Sequence, residues 1–380
     1  MAFTTRRVPI DALRTIVAGA VRPVSGDLVL ATVDRLGFQT RIELQSGRKA
    51  LLHPGDRIVV AYGDRYATDQ FEAEVPDSLR PTSLVATGGI AADVLSRASG
   101  MKAATAITPI GLIGDSQGRP LNLSRFALKP LGSPPPRPRV IAVLGTSMNS
   151  GKTTTNRYLA LGLSRAGLRV GAVKATGTGS GNDYWAMMDA GVHRTVDFVD
   201  AGFSSTYRIP VEAIEQGAIN LIEHLAADGC DVILLEIADG VFQSQNIALL
   251  RSDFFSQYID GVLFAAGEAL GAARGLDELY ELGAPVVGLS GRFTGSALLI
   301  GEAERACKAP IFTKEQLSDP EAARRLVLSV TPPAPPRPPS SPSHPPSSPP
   351  PTTPSPPDRL SFPFHVPMGF RRPEPPGSPR

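Results

Sequence analysis

The chain has 380 residues, 42% of them hydrophobic, with a net charge of +2 and two cysteines. That length accommodates two folded domains and a tail, and the near-neutral charge gives no reason to invoke nucleic acid. No apolar run is long enough to span a bilayer, so a membrane is not an expected partner either.

Cys230 and Cys307 lie far apart in the sequence and read as reduced thiols, in keeping with a cytoplasmic protein. The N-terminal stretch carries Arg6 and Arg7, but Asp11 and Arg14 interrupt its apolar residues. No signal peptide is expected there.

Residues 1–132 read as a small, barrel-like β-rich domain. Asp27–Asp34, Phe38–Leu44 and Arg57–Tyr62 are short strand-like runs punctuated by Gly and Pro. The polar segment AYGDRYATDQFEAEVP places Arg65, Tyr66 and Asp69 just after the third run. It reads as a surface hairpin, with substrate contact as the alternative. Gly89–Ser99 is expected to be helical, and an apolar run follows at Ala104–Ile113. The sequence SPPPRPR then supplies a stiff proline linker at 133–139.

From 140 to 330, strands and helices alternate. Strands are predicted at Val140–Gly145, Arg169–Lys174, Val196–Val199, Asp231–Ile237, Asp260–Ala266 and Pro285–Leu289. Helices are predicted at Lys152–Ala166, Val211–Ala227, Leu270–Leu282 and Ser296–Cys307. This rhythm predicts an α/β domain whose mainly parallel sheet is covered on both faces and binds ligands at the carboxyl ends of its strands. Residues 331–380 are rich in Pro and Ser, and a disordered tail of polyproline character is expected.

The most informative stretch is RVIAVLGTSMNSGKTTT, at 139–155. An apolar strand enters a small-residue loop, Gly145, Thr146, Ser147, Met148, Asn149, Ser150 and Gly151, and Lys152, Thr153 and Thr154 open a helix. Strand, glycine-bounded loop, Lys-Thr and helix is an arrangement that binds the phosphates of a nucleotide. Loop N–H groups point at the phosphates, Lys152 neutralises the terminal ones, and the Thr153 hydroxyl ligates Mg²⁺. The accidental alternative is an ordinary βα turn.

Three more residues extend the site. Lys174 ends a strand whose neighbour loops bind ligand, although a solvated lysine fits there as well. Asp183 suits either a metal or water contact or a helix cap. Glu236 stands where the apolar strand DVILLE turns polar, the position of a carboxylate directed at Mg²⁺. Asp239 is explained by an Asp-Gly turn. The isolated His193 and His224 suggest no ligand role.

GTSMNSGKT leaves five residues between Gly145 and Gly151 instead of the common four. This spacing resembles the phosphate loop of dethiobiotin synthetase and its relatives, including cobyrinic-acid amidating enzymes and the GTP-binding accessory protein of molybdopterin-guanine dinucleotide synthesis. Lys174, Thr176, Gly181, Asn182, Asp183, Trp185, Ala190 and Gly191 are similar to that accessory protein's pattern. Ser147 and Asn149 depart from the acidic loop of dethiobiotin synthetase, and Ile237 replaces the glycine that follows the strand-end Glu in the group.

The resemblance implies a P-loop domain over about half of the chain and a homodimer. It also implies that the loop Gly291–Ser296, with Arg292, lies near the base. The function expected is a Mg²⁺-dependent protein binding ATP, or alternatively GTP, that phosphorylates or ligates a small carboxylate-type acceptor. Its catalytic residues are expected to be Lys152, Lys174 and Asp183, with Thr153 and Glu236 on the metal. A nucleotide-binding accessory protein is the second reading, and an interaction protein acting through its proline tail the weakest.

Overall fold

A computed structural model of the chain describes residues 1–330, and the expected proline-rich tail lies outside the described residues. The N-terminal strands are β1 (Thr15–Val17), β2 (Leu28–Arg35), β3 (Arg41–Glu43), β4 (Lys49–Leu51) and β5 (Arg57–Tyr62). They are followed by β6 (Arg65–Tyr66), β7 (Phe71–Glu74), β8 (Thr82–Ala86), β9 (Ile90–Arg97) and β10 (Thr105–Gly114). Pairing runs from β10 to β2, β5, β9 and β8, and β8 pairs back onto β10. A closed five-stranded ring results, which leaves none of these strands with a free edge. Val29, Val33, Val60, Tyr62, Leu84 and Ile107 are buried in its core.

The helix expected at Gly89–Ser99 is instead the strand β9. Its Ala, Leu and Ser residues do not strongly favour a strand. However, β5, β7 and β8 all hydrogen-bond to it, and this pairing overrides local propensity. Two further boundaries differ: Phe38–Leu44 shortens to β3, which pairs with β4, and the strand expected at Val196–Val199 begins earlier, at Arg194.

The second lobe is a six-stranded, wholly parallel sheet. Its strands are β11 (Arg139–Gly145), β12 (Val170–Lys174), β13 (Arg194–Asp197), β14 (Val232–Glu236), β15 (Gly261–Ala266) and β16 (Val286–Gly291). They stand in the order β13-β12-β14-β11-β15-β16. The helices that matter for the site are α1 (Lys152–Arg165), α2 (Gly181–Asp189) and α3 (Val211–Ala227). Val140, Ala142, Leu144, Ile233 and Leu235 face one apolar layer, while Ile141, Leu234 and Leu263 face the other. Alternate residues of β11 and β14 thus feed opposite cores, as expected for a sheet covered on both sides. The α/β P-loop architecture expected from the sequence is present.

Both sheets belong to one compact unit. The β-rich lobe packs on the carboxyl ends of β12 and β13 through polar contacts. Arg6 Nη2 reaches Asp197 at 2.7 Å and Asp200 at 2.6 Å, with its guanidinium 4.3 Å from the Phe3 ring centre. Arg7 also contacts Asp200. Glu43 Oε2 accepts from the Gly181 N–H that begins α2, and Ser204 Oγ donates to the Tyr62 carbonyl. The backbones nearly touch: a Cβ on Gly88 would fall 2.0 Å from the Gly179 carbonyl oxygen.

Burial alone would lower the Arg6 pKa, but Asp197 and Asp200 raise it above the usual arginine range. Removing one partner of a buried charge cluster leaves the others uncompensated. Arg6→Ala should therefore lower stability by about 3–5 kcal/mol in urea unfolding at neutral pH. Without Arg6, the buried Asp197 carboxyl, already pushed up by burial, titrates higher in the folded than in the unfolded state. It then favours folding at low pH and opposes it as pH rises, so the deficit should shrink on acidification. A deficit independent of pH would contradict this account.

Candidate functional site

β11 delivers its last apolar residue, Leu144, to the end of the sheet, and the loop turns there. Thr146 N–H donates to the Ala265 carbonyl at 3.0 Å, which ties the loop start to β15. Gly151 has φ 105°, and a Cβ there would sit 2.9 Å from the Arg292 nitrogen. A glycine is therefore required where the loop enters α1. Asn149 is also left-handed, at φ 61°. Lys152 Nζ donates across the loop to the Ser147 carbonyl at 2.7 Å. Ser150 Oγ is buried without a hydrogen-bond partner. Gly145 closes tightly on the loop, since a Cβ there would fall 2.4 Å from Ser150 Oγ. All the loop residues singled out in the sequence thus share one cradle at the N-terminus of a helix.

The parallel register brings the charged residues together. Lys174 pairs in register with Glu236 on one side and Asp197 on the other. Lys174 Nζ contacts Asp183 Oδ2 and lies 3.7 Å from Glu236 Oε1. Asp183 Oδ1 accepts from Thr153 Oγ1 at 3.0 Å. Asp183 therefore spends both oxygens on α1 and β12 rather than capping its own helix, and Lys174 is not a free surface lysine. The N–H that begins α2 is met instead by Glu43 of the other lobe.

Burial sets the ionisation of the group. It would depress Lys174, but Asp183 and Glu236 raise it above the usual lysine range. Burial works to raise Asp183, yet Lys174 and the Thr153 hydroxyl hold it below the usual carboxylate range. Glu236, 4% exposed, is pushed up by burial and by Asp183. Burial lowers Lys152.

The donor set suits Mg²⁺, which takes hard oxygen ligands and few protein carboxylates. The Thr153 hydroxyl and the carboxylates of Asp183 and Glu236 converge beside the phosphate loop. The sequence reading put Thr153 and Glu236 on the metal and gave Asp183 a metal or water contact as one alternative; in the structure Asp183 is the carboxylate hydrogen-bonded to Thr153.

Three cavities adjoin the loop: one of about 430 Å³ lies over Asn149, Gly151–Thr154 and Arg292, and two flank it. One of these two, of about 410 Å³, is lined by Gly151, Thr154, Arg292, Gly295, Lys314 and Glu315. This is where the base was expected. The other, of about 300 Å³, runs from Lys152, Thr153 and Lys174 to Arg65, Tyr66 and Asp239. The hairpin of β6 and β7 is therefore not a mere surface feature, contrary to the preferred sequence reading. Asp69 at its tip accepts from Asn149 of the phosphate loop at 2.8 Å, and Arg65 is 6% exposed. No local pattern distinguishes such a hairpin from an exposed one, because its role follows from how the lobes dock. Asp239 does sit in a turn, at φ 63°, and it also lines the cavity.

Lys174→Met should leave Asp183 and Glu236 buried side by side without their cation. Stability at neutral pH should fall by about 3–5 kcal/mol. The loss should be smaller near pH 5, where the carboxylates, raised above their unfolded values, take up protons on folding. Equal losses at both pH values in chemical denaturation would rule out the charge pairing described.

No family model and no curated protein matches the chain. Among solved structures it is similar to the signal recognition particle receptor FtsY from Elizabethkingia anophelis in complex with GDP, at 16% identity over 52% of this chain and 66% of that one, TM-score 0.34. It is also similar to FtsY from Thermotoga maritima, at 21% identity over 54% of this chain and 73% of that one, TM-score 0.35. The kinase domain of the Escherichia coli tyrosine kinase ETK is similar at 16% identity over 40% of this chain and 66% of that one, TM-score 0.31.

Proposed function

We propose that the chain is a Mg²⁺-dependent enzyme that moves the terminal phosphoryl group of a nucleoside triphosphate, ATP or GTP, onto a small carboxylate-type acceptor. One observation carries this reading. The cavity lined by Lys152 and Thr153 is also lined by Arg65 and Tyr66 of the β-rich lobe. A protein that served nucleotide binding alone would have no need of a second lobe's side chains in the space beside the terminal phosphate.

In this reading the phosphates lie along Gly145–Thr154, the base occupies the cavity beside Arg292 and Lys314, and the acceptor enters beside Lys174. The bond from the terminal phosphorus to the bridging oxygen breaks as one forms to an acceptor oxygen, and the nucleoside diphosphate leaves. Mg²⁺, held by Thr153, Asp183 and Glu236, would supply charge neutralisation on the phosphates. Lys152 leaves the Ser147 carbonyl for the transferred group and stabilises its charge, while the loop N–H groups fix its position. Lys174 keeps Asp183 ionised at Thr153 and presents a cation to the acceptor. The β-rich lobe excludes water from the transfer, since hydrolysis is the competing reaction.

The accessory-protein reading rests on the match at Asp183 and Trp185. Trp185 has a packing role here: its ring meets Phe3 at 6.5 Å and Tyr184 at 4.9 Å, and it covers Gly47 of the β-rich lobe. The match at Trp185 therefore follows from lobe docking and gives that reading little weight.

Calorimetry with Mg²⁺ and each triphosphate should show saturable binding that Lys152→Ala weakens by about a hundredfold, roughly the worth of a phosphate-directed charge in a buried site. Glu236→Gln should reduce the Mg²⁺-dependent gain in affinity about tenfold and leave metal-free binding nearly unchanged. A screen of small carboxylic acids should stimulate diphosphate release. Binding without stimulation by any acid would favour the accessory role, and no binding of either nucleotide would end both readings.

A further inference from the structure

Two arginines of the β-rich lobe are buried near the site, and their surroundings differ sharply. Arg6 is met by two carboxylates. Arg65 is 6% exposed yet forms no ion pair among the described residues. Its Nη2 donates to Gln70 Oε1 at 2.6 Å, and its guanidinium lies 5.7 Å from the Phe71 ring centre. Nε and Nη1 are buried with no hydrogen-bond partner. Asp69 and Asp239 act on the guanidinium through space only, and Asp69 is already engaged by Asn149. Burial pulls the Arg65 pKa down to about 10, so the side chain is still charged at neutral pH.

A buried charge with unused donors is costly unless an anion meets it. The wall of a cavity needs no guanidinium, since an apolar side chain would close it at lower cost. Arg65 lines the cavity into which Lys152 and Lys174 also face, opposite the phosphate loop. Its hairpin is held against that loop through the Asp69–Asn149 contact.

We propose that Arg65 is the anion-binding residue of this cavity, its guanidinium turning from the buried position to donate its unpartnered N–H groups to an oxyanion that arrives with the ligands. The proposal rests on the phosphoryl-transfer reading. The oxyanion is either the carboxylate or phosphate of the acceptor or the terminal phosphate of the nucleotide, and both present the same negatively charged oxygens to a planar donor.

The test uses the full chain, Arg65→Met and Arg65→Lys, followed by the fluorescence of Trp185, the single tryptophan. The probes are the Mg²⁺-bound diphosphate, a non-hydrolysable triphosphate, and inorganic phosphate or malonate added to the diphosphate complex. Arg65→Met should bind the diphosphate within about twofold of wild type, because that ligand ends at the Lys152 and Thr153 side of the cavity and lacks the terminal phosphate that would approach Arg65. A loss of about tenfold in the preference for triphosphate over diphosphate would identify the terminal phosphate as the anion. A loss of about tenfold for phosphate or malonate, with that preference intact, would identify the acceptor.

The unliganded Arg65→Met protein should melt at or above the wild-type Tm, since a buried unpaired charge has gone. Unchanged responses to all probes overturn the proposal. So does a lower Tm with unchanged anion responses, which marks a structural arginine. If Arg65→Met does not fold, Arg65→Lys decides: losses of about threefold on the same probes are expected, and none overturns the proposal. Failure of the wild type to bind diphosphate would refute the phosphoryl-transfer reading itself. Intact diphosphate binding without dependence on Arg65 refutes the anion site alone.

Discussion

The site depends on one ammonium, that of Lys174, largely withdrawn from water. Lys174 ends β12, where the parallel register sets it beside Glu236, and α2 brings Asp183 to it from the other side. Three elements, β12, α2 and the more distant β14, thereby meet at one point, and Asp183 is held within hydrogen-bonding reach of Thr153 at the start of α1. Two carboxylates this deeply placed would repel each other and tend to neutralise without the cation. With it, Asp183 stays ionised beside the phosphate loop, which a metal-directed oxygen requires. The same side chain thus contributes to stability and to the electrostatics of the site.

The β-rich lobe brings Arg65 and Tyr66 to the cavity that begins at Lys152 and Thr153 of the loop. An open parallel sheet binds ligands at the carboxyl ends of its strands, where they face solvent. Here a five-stranded barrel covers those ends at β12 and β13 and sends the β6–β7 hairpin over the loop. The contact is made largely by buried polar groups: Arg6 with Asp197 and Asp200, Glu43 with the start of α2, and Ser204 with the Tyr62 backbone. Such groups fix orientation more than they add stability, because their desolvation offsets much of their attraction. A fixed orientation is what the proposed transfer between two lobes requires, since the reacting groups must be held within about half an ångström of the productive geometry.

The sequence carried the parallel sheet and the phosphate loop clearly. Apolar runs of five to seven residues alternating with helical stretches permit few other folds, and Gly151-Lys152-Thr153 between strand and helix has a defined physical use. Lys174, Asp183 and Glu236 were legible as strand-end or loop charges, although their mutual pairing was not, because register between distant strands is a tertiary property. β9 was misread as a helix because its Ala-rich composition matters less than its three hydrogen-bonded neighbours. Arg65 was visible as a charged residue after a strand. Its burial comes from docking against the other lobe, and no local signal encodes that.

The central claim is that nucleotide phosphates and an anionic acceptor meet between Lys152 and Arg65. A crystal structure of the full chain with Mg²⁺ and a non-hydrolysable triphosphate tests it most directly. Phosphates are expected along Gly145–Thr154, with Lys152 Nζ moved from the Ser147 carbonyl to the terminal phosphate and that phosphate at the mouth of the cavity lined by Arg65. A nucleotide bound elsewhere, or a terminal phosphate turned away from that cavity, would contradict it.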